Sequence, residues 1–161
     1  MRNKDNLPEI RLRQAEESDL IFLYKLRNEP IVRRNSFQTK LINPEDHKKW
    51  FLSKLKDQNS YLYIVEVSNK PVGQVRIDLE YDTGEINIAL SQEYRGFGLG
   101  TLVTKKACHL TFKKYRYVKK IVAHIKSNNL TSQRSFMKAG FIDKGKINYL
   151  GHPCRRMVLE K

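Results

Sequence analysis

The sequence predicts an α/β domain in which helices flank one mixed sheet. Three observations carry this. Short runs such as Glu9–Gln14 (EIRLRQ) and Gly73–Glu80 (GQVRIDLE) alternate apolar and polar residues, the period of a half-buried strand. Between such runs lie segments of helical spacing with start and stop residues at their ends. The two kinds interleave along all 161 residues with no repeat, low-complexity tract or linker, so one domain over 1–161 is expected.

The elements follow in order. EIRLRQ is a strand. A helix follows through Leu20, Leu23 and Tyr24, with Ser18 or Asp19 as its cap and Pro30 as its stop. Asn43 caps a second helix, with Pro44 in its first turn and Glu45 and Asp46 at its positive end. YLYIVEV, VGQVRIDLE and INIAL form three successive strands, the last two joined by the turn YDTGE. A long helix runs from about Leu99 to Tyr115, VKKIVAHI is a strand, and NNLTSQRSFMKAGF is a short helix ending at Gly140. FIDKGKINYL and PCRRMVLEK close the chain as a strand pair. The order is β-α-α-β-β-β-α-β-α-β-β.

Composition excludes several classes. No stretch approaches the roughly 20 apolar residues of a membrane span, and the first residues, MRNKDNLPEIRLRQ, contain no apolar leader core. The two cysteines, Cys108 and Cys154, have neither metal spacing nor close pairing, which suits a reduced cytoplasmic protein without a metal. Lysine and arginine number 31 against 17 acidic residues, a net charge of +14. Such a surface attracts anions and disfavours polycationic substrates. The basic residues are dispersed, so they read as a solvated face rather than as a nucleic-acid stripe.

The stretch from Glu93 to Lys106, EYRGFGLGTLVTKK, holds three glycines in alternation at a strand-to-helix junction. Unpaired N–H groups and the dipole at a helix start make an anion site, and bare glycines let a phosphate approach the backbone. Spacing excludes two phosphate loops. Gly100 is followed by Thr101 and Leu102, not the Lys-Ser/Thr of a Walker loop. Thr101 also stands where a dinucleotide fingerprint needs its third glycine.

Arg95-Gly96-Phe97-Gly98-Leu99-Gly100 resembles the pyrophosphate loop of the Gcn5-related N-acetyltransferase (GNAT) superfamily, Arg/Gln-x-x-Gly-x-Gly/Ala. Asn129, Ser132, Phe136, Lys138, Gly140 and Phe141 match a later segment of the same family, in the right order and with a strand between. The resemblance covers essentially Ile10 to Glu160. It implies a mixed, mostly antiparallel sheet of six to seven strands with a splayed central pair, about four helices, and acetyl transfer from acetyl-CoA to an amine without a metal. It places the CoA pyrophosphate on the amides of Gly98, Leu99 and Gly100, within a loop shaped by Arg95, Gly96 and Thr101. Ile88, Ala89 and Leu90 would pair with the pantetheine arm, and an amide near Leu90 would hold the thioester oxygen. Asn129, Ser132 and Arg134 would flank the CoA arm and its phosphates. Glu85 is the candidate base, with a strand-edge charge as the plainer reading. Phe136 stands where many members carry a tyrosine acid, so Tyr149 or Ser132 is left as donor, or the thiolate leaves unaided.

For the acceptor, Leu26 to Phe51 resembles a signature shared by amino-sugar acetyltransferases of pseudaminic-acid biosynthesis and, more loosely, by ribosomal-protein N-terminal acetyltransferases. It nominates Arg27, Asn28, Arg33, His47 and Trp50. Arg76, on the polar face of its strand, joins them as a phosphate holder or a solvent-facing charge. Trp50 beside Phe51 also suits a core, and His47 a structural histidine. The implied partner is a small-molecule amine, foremost an anionic nucleotide sugar, with no nucleic-acid or membrane partner. Dimers occur in related proteins, so a homodimer is compatible. The alternatives are a protein N-terminus as acceptor, or a noncatalytic module binding CoA or nucleic acid.

Overall fold

A computed structural model gives the fold over residues 9–161; the first eight residues, where the sequence shows no apolar leader, lie outside the described residues. The strands are β1 (Ile10–Gln14), β2 (Ser60–Val67), β3 (Lys70–Glu80), β4 (Thr83–Leu90), β5 (Lys120–Lys126), β6 (Ile142–Tyr149) and β7 (His152–Glu160). The helices are α1 (Leu20–Asn28), α2 (Pro30–Asn35), α3 (Pro44–Lys56), α4 (Leu99–Lys114) and α5 (Leu130–Lys138). All seven strands form one sheet in the order β1-β2-β3-β4-β5-β7-β6. Every neighbouring pair is antiparallel except β4 and β5.

The element order agrees with the sequence, with two local corrections. Pro30 ends α1 but also begins α2, a fifth helix. Its missing N–H costs nothing at a first helical position, and it holds Glu29 extended at ψ 134°. Neither Ser18 nor Asp19 caps α1 through its side chain. The Asp19 carboxylate instead accepts two hydrogen bonds from the Arg13 guanidinium, at 2.8 and 2.7 Å, and one from the Glu16 N–H at 2.9 Å. That arrangement ties the start of α1 to β1. Asn43 does cap α3, its Oδ1 accepting from the Asp46 N–H at 2.9 Å. Gly140, at φ 103°, ends α5 in a conformation that glycine adopts without strain.

Strand alternation sends successive side chains to opposite faces of the sheet, and each face has its own core. On one face Val75, Ile77, Ile121 and Met157 pack with Val103 of α4 and Phe136 of α5. On the other, Leu62 and Ile64 pack with Leu23 and Leu26 of α1 and Phe51 of α3. Cys108 and Cys154 are free, buried thiols. Among the described residues no helix is long and apolar enough to cross a membrane.

The feature that positions the site is the parting of β4 from β5. β3 and β4 stay paired from Glu80↔Thr83 to Gly73↔Leu90. Gly73 makes that approach possible, since a Cβ there would stand 2.5 Å from the Ala89 carbonyl oxygen. β4 and β5 pair only over Thr83–Glu85 and Lys120–Val122. β5 then continues beside β7 as far as Lys126↔Cys154. A wedge therefore opens between Ile86–Leu90 and Ala123–Lys126.

Candidate active site

The backbone of β4 lines one wall of the wedge. Ser91 donates its N–H to the Val72 carbonyl at 2.8 Å, so Ser91 faces β3. Peptide groups alternate along a strand, so Ala89 also faces β3 while Ile88 and Leu90 face the wedge. Of the three residues nominated to pair with an extended ligand, Ile88 and Leu90 turn their peptide groups to the wedge. Ala89 presents its peptide to β3 because of that alternation. The Leu90 carbonyl accepts from Arg95 Nε at 2.7 Å, which fixes the loop after β4 to the strand end. Burial pulls the Arg95 guanidinium below its ordinary pKa, and the nearby Glu29 carboxylate opposes this.

The glycine loop closes the mouth of the wedge, and its glycines differ in purpose. Gly96 and Gly98 adopt φ of 83° and 78°, the left-handed region, and no atom lies within 4 Å of where a Cβ would project. Gly98 caps α4 without a side-chain bond, leaving the amides of Leu99, Gly100 and Thr101 in the first turn. Gly100 is helical, and a Cβ there would meet Ser135 Oγ at 3.0 Å. Its bareness lets α4 approach α5, where Thr101 Oγ1 lies 3.0 Å from the same Ser135 Oγ. Asn129 caps α5 by accepting from the Ser132 N–H at 3.2 Å, and the exposed Arg134 stands farther along that helix.

These groups and the wedge belong to one continuous cavity of about 1630 Å³. Single-ligand pockets run roughly 300–1,000 Å³, so there is room for two substrates. The lining from α1, the segment around α2, β3 and the end of β5 is cationic. Arg27, Arg34, Lys40, Arg76 and Lys126 line the cavity against one carboxylate, Asp46.

The nominated acceptor residues divide. Asn28 and Arg33 do not line the cavity. Asn28 exchanges two hydrogen bonds with the Ile42 backbone, at 3.1 and 3.0 Å. Arg33 donates to the carbonyls of Asn28 and Thr39, at 3.2 and 3.1 Å. Both hold the segment after α2 in place, because its backbone carbonyls need donors that no strand supplies. Arg27, His47, Trp50 and Arg76 do line the cavity. Arg27 donates to the Gln38 carbonyl at 2.7 Å, while its buried Nη1 meets no partner among the described residues. Burial, then the charge of Arg33, lowers its pKa. His47 is 2% exposed, with rings of Tyr24, Trp50 and Phe51 around it and, among the described residues, no partner for either ring nitrogen. Burial and then the Arg27 charge push its pKa down, so it stays neutral. The Arg76 guanidinium lies 5.5 Å from the Trp50 ring centroid and donates through Nε to Asp78 at 2.7 Å.

At the vertex of the wedge, Glu85 Oε1 lies 3.1 Å from His124 Nδ1 and accepts from the Tyr149 hydroxyl at 2.9 Å. The His124 and Tyr149 rings stack, with centroids 3.9 Å apart and planes 9° apart. The His124 hydrogen bond, helped by Tyr149 and opposed by burial, holds the Glu85 carboxyl below its ordinary range. That makes Glu85 a weak base. Burial and the Glu85 carboxylate push the Tyr149 phenol up to about 12, which makes it a poor acid. Neither residue lines the cavity, whereas His124 does. His124 was not singled out from the sequence. Its signal was alternation, which sets it with Lys126 on the face opposite Ala123 and Ile125. His152, also missed there, and Lys126, which the sequence offers as a further cation near the cofactor or as a solvated lysine, anchor the segment around α2 across the wedge. Lys126 Nζ donates to the Arg34 carbonyl at 3.0 Å, and His152 Nε2 lies 2.9 Å from the Phe37 carbonyl.

Residues 9–142 match the family model described as an acetyltransferase (GNAT) domain. No curated protein matches the chain. Among solved structures, the aminoglycoside acetyltransferase AAC(6')-Ib in complex with coenzyme A is 24% identical, with a TM-score of 0.85 over 95% of each chain. The spermidine N-acetyltransferase of Vibrio cholerae, in complex with CoA and spermine, is 20% identical, with a TM-score of 0.83 over 94% of this chain and 95% of that one. A domain from Methanocaldococcus jannaschii is 23% identical, with a TM-score of 0.83 over 96% of this chain and all of the other. They share the fold.

Proposed function

The chain belongs to the GNAT acetyltransferase family, and we propose that it transfers the acetyl group of acetyl-CoA to a primary amine borne on an anionic body, foremost a nucleotide-linked amino sugar. The single observation that carries the acceptor class is the charge of the cavity, where five arginine and lysine side chains, Arg76 among them paired with Asp78, stand against one lining carboxylate, Asp46. Aminoglycosides and spermine, the ligands named for similar folds, are polycations, and a cationic wall repels them. A diphosphate suits that wall, which Arg27, Arg34 and Lys40 all line and where Arg27 Nη1 has no partner among the described residues.

For the cofactor, support comes from the wedge and the loop at its mouth. Acetyl-CoA would extend its pantetheine arm along Ile88 and Leu90 and rest its pyrophosphate at the start of α4, by Gly98, Leu99 and Gly100. Asn129, Ser132, Thr101 and Arg134 would flank it, with Gly96 and Arg95 shaping the loop. The Leu90 N–H, turned toward the wedge, suits the thioester oxygen as charge develops there. The amine attacks as a neutral group, so its proton must leave; the ordinary alkylammonium pKa is about 10.4.

Thermal shift with acetyl-CoA, followed by free-thiol release with a UDP-4-amino sugar, tests the proposal. Acetyl-CoA should raise the melting temperature and the sugar nucleotide should release thiol. A protein that shows no shift at millimolar acetyl-CoA is not the enzyme proposed.

A further inference from the structure

We propose that His124 carries the proton of the transfer, taking it from the amine at Nε2 and returning it to the leaving thiolate, with Glu85 as its positioning residue. The inference rests on the acetyltransferase reading above.

Geometry selects His124. It stands on β5 two residues past Val122, the last position paired with β4, so it occupies the vertex where the wedge opens. Its neighbours Ala123 and Ile125 belong to the α4–α5 core, and its ring turns to the acceptor side of the cavity. Nδ1 faces the Glu85 carboxylate at 3.1 Å. A carboxylate only accepts, so Nδ1 carries the hydrogen, and in the neutral imidazole Nε2 keeps the lone pair. Among the described residues nothing bonds to Nε2. The Tyr149 stack and the Tyr149 hydrogen bond to the same Glu85 oxygen lock the ring, whose side chain is 13% exposed.

The alternatives around the wedge are committed elsewhere. Phe136 has no proton to give and packs edge-on against Phe141, with centroids 5.0 Å apart. Lys126 and His152 face the backbone carbonyls of Arg34 and Phe37. His47 is walled in by aromatic rings.

The step balances. The ammonium first releases one proton to solvent, and the neutral amine's lone pair then forms the N–C bond at the thioester carbonyl. The C–S bond breaks, and its electron pair goes to sulfur. The nitrogen loses its proton to Nε2, and the thiolate then takes that proton from Nε2. Amide and free thiol result, and the imidazole returns neutral. One side chain thus serves as base and acid, which accounts for an active wedge without a tyrosine at position 136.

The test uses the full-length chain with His124→Ala and Glu85→Gln. Acetyl-CoA binding is followed by thermal shift, and turnover by thiol release from acetyl-CoA with a UDP-4-amino sugar. Histidine tautomers are read from ¹⁵N chemical shifts. General acid–base catalysis contributes roughly 10²–10⁴-fold. His124→Ala should therefore lower kcat by about 10²-fold or more, keep the acetyl-CoA shift, and recover part of its rate in added imidazole. Glu85→Gln should lower kcat by at least about tenfold with KM unchanged, as losing the carboxylate that fixes a catalytic imidazole's tautomer does, and turn the single Nδ1–H tautomer of His124 into a mixture. A His124→Ala protein within twofold of wild-type kcat, or one that binds acetyl-CoA but gains nothing from imidazole, would overturn the proposal. So would an Nε2–H tautomer in the wild-type protein, whatever the acceptor. Loss of the acetyl-CoA shift in the wild-type protein would instead overturn the acetyltransferase reading, and the tautomer still decides how His124 is held.

Discussion

Gly98→Ala separates the two demands placed on the loop before α4. Gly98 sits at φ 78°, and an L-residue in that left-handed conformation costs roughly 1–2 kcal/mol. A chain of this length loses roughly 2–4 °C of Tm per kcal/mol. The unliganded variant should therefore melt about 2–8 °C below wild type. No packing clash adds to this, because nothing lies within 4 Å of the new methyl. That open space is where the pyrophosphate would come, so the methyl should also separate ligand from amide. Losing one hydrogen bond to a charged group costs roughly 1.5–3 kcal/mol, about a 10–100-fold weaker acetyl-CoA Kd. Gly100→Ala is the contrasting variant. Its methyl would stand 3.0 Å from Ser135 Oγ, so its cost is crowding, and a second change, Ser135→Ala, should relieve it. Ser135→Ala should do nothing for Gly98→Ala. The assays are melting curves with and without acetyl-CoA, and calorimetric Kd. A Gly98→Ala protein with wild-type Tm would refute the strain argument. One with wild-type Kd would refute the close approach of ligand to backbone.

Two further outcomes follow from the acceptor side. His47 is buried neutral, with its pKa lowered from 6.5. The unfolded chain binds a proton there as pH falls through about 6.5 while the folded chain does not, so stability present above that pH is lost as it drops toward the folded pKa. His47→Phe should flatten that limb of the Tm–pH curve, and by removing two unpartnered nitrogens should raise stability near pH 7 by about 1 kcal/mol. An unchanged limb in circular-dichroism melts would refute this account of His47. Arg34→Glu should raise KM for a UDP-4-amino sugar by about tenfold or more, on the scale of one charged hydrogen bond, and leave the acetyl-CoA Kd unaltered. Equal losses for both substrates would place Arg34 outside the acceptor wall.

Much of the fold was legible because its signals are local. Asn43 caps α3 as its position announces, and alternating runs together with strand-like runs between turn residues locate the seven strands. The glycine loop announced a bare backbone before a helix, but its three glycines looked equivalent. Only the proximity of Ser135, thirty-five residues on from Gly100, gives Gly100 a packing role distinct from Gly96 and Gly98. Asn28 and Arg33 were legible as polar residues near the acceptor end, yet a side chain that supports a loop and one that touches a ligand read alike in sequence. Their carbonyl partners decide between the two. His124 was hidden for the same reason. Its partner Glu85 is 39 residues away, and the short parallel pairing of β4 and β5 creates both the contact and the opening beside it.

The most direct test of the central claim is a side-by-side measurement of thiol release from acetyl-CoA with a UDP-4-amino sugar, spermine and kanamycin as acceptors. The cationic acceptor wall predicts turnover of the sugar nucleotide and none of the two polycations. Turnover of spermine or kanamycin with the sugar nucleotide inert would contradict it.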